Sequence, residues 1–145
     1  MRALLAVAAL LLAGCVVGRK GFENWNAAVP AGRFKTVATI ASSGSRNDLR
    51  MMVQVRTDLQ KAGLNAVASA GRWETVPEAI AQVCSPTAEQ PVDGLVVVSY
   101  DHLVLYDCQN SKAAFEIQGS NQTGLTVMTA RLIKYLKRKP ESPAQ

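Results

Sequence analysis

The segment Leu95-Val96-Val97-Val98-Ser99-Tyr100 is nearly all apolar and too short for a buried helix, so it reads as a strand covered on both faces. A chain with such a strand must place layers on both sides of a sheet. Downstream, Asp101-His102 reads as a turn, Leu103–Asp107 as a returning strand, Gln109-Asn110-Ser111 as a second turn, and Ala113–Gln118 as a third strand. Upstream, Lys35–Ala41 alternates and is rich in Thr, Val and Ile, and Leu64–Ser69 forms a shorter strand.

Helices fill the intervals. Ser45 with Asp48 three residues on resembles a capping box, and Leu49, Met52, Val53 and Leu59 fall on one helical face before Gly63 stops the helix. Thr75 with Glu78 caps a second helix through Ala79, Ile80 and Val83, which Pro86 ends. Gly124 to about Lys139 is the last helix, with Leu125, Met128, Leu132 and Leu136 on its apolar face. The order β-α-β-α-β-β-β-α predicts a single α/β (α+β) domain. Two crossovers impose parallel neighbours and the hairpins add antiparallel ones, giving a mixed sheet packed with helices.

The amino terminus has a different composition. After Arg2, residues Ala3–Ala13 form an unbroken apolar run, the length of a signal-peptide core and too short to span about 30 Å of hydrocarbon. It ends in Leu12-Ala13-Gly14-Cys15, which resembles the lipobox of bacterial lipoproteins. The resemblance implies removal of residues 1–14, lipidation of Cys15, and a membrane anchor of more than one acyl chain. Val16 rather than an acid after the cysteine favours, by likeness to enteric lipoproteins, the outer membrane facing the periplasm. The 131 residues left of 145 suffice for one core. Removing Arg2 takes the formal charge from +5 to +4. Residues 15–33, with Gly18, Gly21, Pro30 and Gly32, read as a flexible tether reaching roughly 60 Å when extended, inside which Phe22 and Trp25 either dock on the domain or meet a partner. The domain then runs 34–139, with a disordered tail at 140–145.

With Cys15 assigned to lipid, Cys84 and Cys108 remain as a pair in an oxidising compartment. In the predicted topology both lie at the edge where the third strand starts and the fourth ends, close enough to bridge. Two buried free thiols are the alternative. A metal site is not expected, since only His102 accompanies them and there is no CxxC spacing.

The segments Asp93-Gly94-Leu95-Val96-Val97-Val98, Leu105-Tyr106-Asp107 and Ser111-Lys112-Ala113-Ala114-Phe115-Glu116 are similar to the sheet of the TolB amino-terminal domain, the curli-secretion lipoprotein and the lipoprotein activators of penicillin-binding proteins. The order of elements agrees over roughly 34–137. This chain departs from them at Ser111, where those families often have glycine, and in its very short meander. The resemblance implies an envelope lipoprotein whose domain binds other proteins without catalysing a reaction.

Several residues are candidates for a site. In an open α/β sheet, ligands favour the carboxyl ends of the parallel strands. There Ser43 and Ser45, with Arg46 and Arg72, could offer backbone N–H groups and cations to an anion, although an ordinary strand-to-helix turn needs the same small residues. No GxGxxG or Walker pattern is present, and no cofactor is expected. Asp101-His102 reads as a polar turn pair rather than part of a hydrolase site. The cations Arg131, Lys134 and Arg138 line one stripe of the last helix. They either complement its macrodipole or dock on an acidic envelope partner or lipid headgroups. Trp73 either covers the sheet edge or anchors a partner. Nucleic acid is excluded as a partner by export and by the lack of interleaved aromatics. Asn121-Gln122-Thr123 fits a glycosylation sequon but reads as an ordinary loop behind a bacterial-type lipobox. The expected function is a non-catalytic protein-binding module in a periplasmic assembly, with a small-ligand or anion-binding domain as the alternative.

Overall fold

A computed structural model describes residues 21–30, 32–69, 71–120 and 124–139. The lipobox, residues 15–20, the sequon and the tail lie outside them. The elements are β1 (Phe22–Trp25), β2 (Thr36–Ala41), α1 (Arg46–Lys61), β3 (Asn65–Ala68), α2 (Val76–Val83), β4 (Gly94–Ser99), β5 (His102–Asp107), β6 (Ala113–Gln118) and α3 (Leu125–Leu136). The strands make one mixed sheet in the order β1-β6-β5-β4-β2-β3, parallel across β4-β2-β3 and antiparallel elsewhere. The α/β class and the mixed sheet are as the sequence predicts.

The two crossovers run in opposite directions along the sheet, outward from β2 to β3 and back over β2 to β4. A common hand therefore puts their helices on opposite faces. On the first face, Val55 and Leu59 of α1 and Met128, Leu132 and Tyr135 of α3 pack on Val96, Val98, Leu103, Leu105, Phe115 and Ile117. On the second, Ala79, Ile80 and Val83 of α2 pack on Ala38, Ile40, Leu95 and Val97. β4 alternates its side chains between these two cores, which is why its sequence does not alternate.

Both predicted caps form. Ser45 Oγ accepts the Asp48 amide at 3.1 Å, and Thr75 Oγ1 accepts that of Glu78 at 3.3 Å. Gly63 follows α1 at φ 85°, a left-handed conformation that glycine adopts without a Cβ clash. The buried stripe of α1 differs from the expected one. It runs through Asp48, Val55 and Leu59, flanked by Met51 and Met52, while Leu49 and Val53 face solvent. The spacing of Leu49, Met52 and Val53 fits a helical face, but the turn after β2 rotates that face away from the sheet.

The structure also shortens the expected tether. Phe22–Trp25 pairs antiparallel with β6, and Val29 and Phe34 are buried in the first core. Of the alternatives for Phe22 and Trp25, docking on the domain is the one seen: Trp25 packs edge-on to Tyr135, and Phe22 against the His102 ring. At the hairpin tip, Tyr100 and Asp101 form the turn. His102 already belongs to β5, one residue earlier than the sequence suggests.

Cys84, the residue capping α2, and Cys108, directly after β5, are joined with sulfurs 2.07 Å apart. The bridge lies at the sheet end where β4 begins, and the Cys108 amide donates to Asp93 O at 3.0 Å. In the β5–β6 turn Ser111 takes φ 59°, the conformation that glycine tolerates best and the position where the resembling families often carry it.

Two stability measurements follow from these backbone features. Reducing the disulfide, or replacing Cys84→Ser with Cys108→Ser, should lower unfolding free energy by about 3 kcal/mol, read from denaturant midpoints with and without reductant. Ser111→Gly removes the Cβ from a left-handed residue and should raise stability by about 1 kcal/mol in the same assay.

Candidate functional site

The carboxyl ends of β2, β3 and β4 define an upper end of the molecule. The row Phe22–Gln118–His102–Ser99 crosses the sheet there, so the start of β1, the end of β6 and the Tyr100 tip share it with the first turns of α1 and α3. The candidate anion loop lies at this end, but its hydroxyls are occupied. Ser42 Oγ and Ser43 Oγ donate to Asp48 Oδ2 at 3.1 and 2.5 Å, Ser43 Oγ accepts the Ser45 amide, and Ser45 Oγ caps the helix. The largely buried Asp48 carboxylate thus complements the positive end of α1 where an external anion would otherwise sit. Arg46, the first residue of α1, and Arg72, in the loop before α2, are both exposed.

The His102 ring is paired with neither Ser43 nor Ser45, and its neighbour across the hairpin, Ser99, donates Oγ to the His102 carbonyl at 3.1 Å. His102 Nε2 lies 2.7 Å from Glu116 Oε1 on β6, with the carboxylate accepting, whereas Ser43 is bound to Asp48. The His102–Glu116 pair was missed because the two residues are 14 apart and only strand register brings them together. They belong to a stretch of the second sheet face that no helix covers. α2 lies over β2 and β4, leaving Phe22, Asn24, His102, Tyr106, Glu116 and Gln118 half-buried or exposed. Burial, and then the neighbouring Glu116 charge, raise the Tyr106 phenol pKa. Phenol and carboxylate therefore stand together on this face.

The basic stripe sits at the lower half of α3. Two of its cations turn onto β1: Arg131 Nη1 lies 3.7 Å from Glu23 Oε2, and the Arg138 guanidinium stacks 5.1 Å from the centre of the Trp25 ring. Lys134 between them is exposed. The stripe is exposed, and its two arginines also help hold the N-terminal strand. Trp73 donates from Nε1 to Gln82 Oε1 at 3.1 Å and packs on the second core, so it covers the sheet edge. It also walls a cleft of about 310 Å³ between β3 and α2, with Val67, Ser69, Gln82, Val83 and Glu89.

A polar cluster at the lower end was not legible in the sequence. Asp107, fully buried, lies with Oδ2 3.1 Å from Arg33 Nη1, an ion pair whose angle is poor for a hydrogen bond, while its Oδ1 accepts the Gln109 amide at 3.0 Å. The Tyr135 hydroxyl is buried beside it without a hydrogen-bond partner. Its pKa is raised by burial and then by the Asp107 charge, against the lowering influence of Arg138 and Arg33. Among the described residues no group of three His, Cys, Asp or Glu side chains is placed to hold a metal ion, and no helix is long and apolar enough to cross a membrane.

No protein-family model and no curated protein matches the chain. Among solved structures it is similar to the PelC dodecamer from Paraburkholderia phytofirmans, at 12% identity over 81% of this chain and 93% of that one, with a TM-score of 0.47. It is also similar to histidyl-tRNA synthetase from Nostoc sp. PCC 7120, at 14% identity over 91% of this chain but 27% of that one, with a TM-score of 0.45.

Proposed function

We propose that this chain is a lipid-anchored cell-envelope protein, held by Cys15 in the outer membrane, whose domain is a non-catalytic protein-binding module of a periplasmic assembly. The leader with its Leu12-Ala13-Gly14-Cys15 lipobox supports the anchor. The observation carrying the binding role is the part of the second sheet face left without a helix. Antiparallel strands can leave one face to solvent, but this face carries aromatic rings as well as polar groups. Here Tyr106, His102 and Glu116 offer aromatic surface with hydrogen-bonding groups at its rim, the composition of a polar, reversible protein interface. Exposed Lys134 on α3, over the first face, is a separate charge that an acidic partner could meet.

A second reading, a small-ligand domain, draws on the cleft beside Trp73, whose volume is at the lower bound for such sites. It moves the expected ligand site from the serine loop to the β3–α2 edge.

Two experiments test the proposal. Cys15→Ser should abolish incorporation of a labelled fatty acid, and equal label on wild type and variant would sink the anchor. In crosslinked pull-downs from intact cells, His102→Ala with Glu116→Lys should reduce partner recovery at least tenfold, equivalent to about 1.4 kcal/mol of binding. Undiminished recovery would show that the open face is not the interface.

A further inference from the structure

Among the described residues, the large hydrophobic side chains that remain exposed are concentrated at one end of the molecule. Tyr100 is 77% exposed at the β4–β5 tip, and Phe22, Leu49 and Val127 are 44–46% exposed in the first residue of β1 and the first turns of α1 and α3. Val53, the remaining one, lies one turn beyond Leu49 on the same side of α1. Between α1 and α3 the patch dips into a groove of about 370 Å³ lined by Tyr100, Met51, Leu125, Asn47, Arg50 and Gln54.

The first described residue, Gly21, lies at this same end. Gly21 lies against the last residue of β6, so close that a Cβ would stand 2.6 Å from Gln118 O, and the next residue, Gly119, donates its amide to Asp101 in the tip at 2.7 Å. Gly21 is thus two to three strand spacings, roughly 10–15 Å, from Tyr100. From Gly21 back to the proposed lipidation site at Cys15 is a span of six residue steps, a reach of at most about 20 Å. The opposite end is a further six-residue strand away, also about 20 Å, so presenting it to the bilayer would use the whole reach.

We propose that the upper end rests on the bilayer, with Tyr100, Phe22, Leu49 and Val127 in the boundary between headgroups and acyl chains. This inference rests on lipidation of Cys15. Aromatic and aliphatic side chains favour that boundary, and Arg46 and Arg50 beside the groove are placed to meet lipid phosphates. Asp101 shares the tip, so apolar contact rather than net charge carries the docking. The bilayer explains together what a protein partner would leave as coincidence: that the exposed apolar side chains and the short link to the lipid share one end.

The test uses the full chain in bacterial cells, with a photoreactive benzoyl-phenylalanine at Tyr100 and, as control, at exposed Asn110 in the opposite turn. Mass spectrometry of the purified protein then reads both the acyl mass on Cys15 and any adduct. Phospholipid adducts from the Tyr100 position, at least about fivefold above the Asn110 control, are expected. Acylated protein whose Tyr100 position joins another protein or a second copy, or gives no lipid adduct above the control, would overturn the orientation while leaving the anchor standing. Protein without the acyl mass would overturn the anchor and the orientation together.

Discussion

Burial of β4 on both faces is the constraint on which the remaining architecture depends. Leu95 and Val97 enter the core under α2, while Val96 and Val98 enter the core under α1 and α3. Each contributes roughly 1.5–3 kcal/mol when withdrawn from water. Removing either helical layer would expose half of this strand. β4 is also where the parallel part of the sheet meets the antiparallel part, since its neighbours are β2 and β5. The crossovers bring chain to one side of it and the hairpins carry chain away on the other. The sheet therefore has a helix-covered half on both faces and, from β5 to β1, a half covered on one face only.

The two buried carboxylates show how the ends of this sheet are secured. At the upper end Asp48 gathers two serine hydroxyls at the start of α1, using the helix dipole and short hydrogen bonds. At the lower end Asp107 relies on Arg33, whose own side chain is partly solvated, and on the amide of Gln109. A buried carboxylate that lost such a partner would face a desolvation cost of several kcal/mol. Arg33 comes from the segment between β1 and β2, so the ion pair also ties the incoming chain beneath the sheet, beside the Cys84–Cys108 bridge.

The three-stranded meander was legible because turn chemistry and β-branched runs specify it locally, and the cysteine proximity followed from placing its ends. β1 was not legible. Phe22-Glu23-Asn24-Trp25 is four residues long, and its strand state comes from a vacant edge on β6 rather than from its own propensity. His102–Glu116 and Arg33–Asp107 depend on register between distant segments, which single residues do not announce. At the candidate site, the sequence offered Ser43, Ser45, Arg46 and Arg72 as a ligand loop beside a helix start. It could not foresee that Asp48 would occupy the position offered to a ligand, because a cap and an anion site require the same residue types.

The misassigned face of α1 has a related physical origin. Apolar spacing reports where a helix meets a nonaqueous surface, without saying whether that surface is the protein core. Leu49 and Val53 obey helical spacing as well as Val55 and Leu59 do, yet only the second pair lies against the sheet. An apolar face that the fold leaves exposed exerts a cost in water, since each such side chain forgoes the gain of burial. That cost disappears if the end carrying Leu49, Tyr100, Phe22 and Val127 is held at a bilayer by the proposed anchor. In that orientation the lower half of α3 and the disulfide lie farthest from the lipid, and the open face of β5, β6 and β1 stands roughly upright, accessible from the aqueous side. The same short link that draws one end onto the membrane would then leave the partner-binding surface in the periplasm.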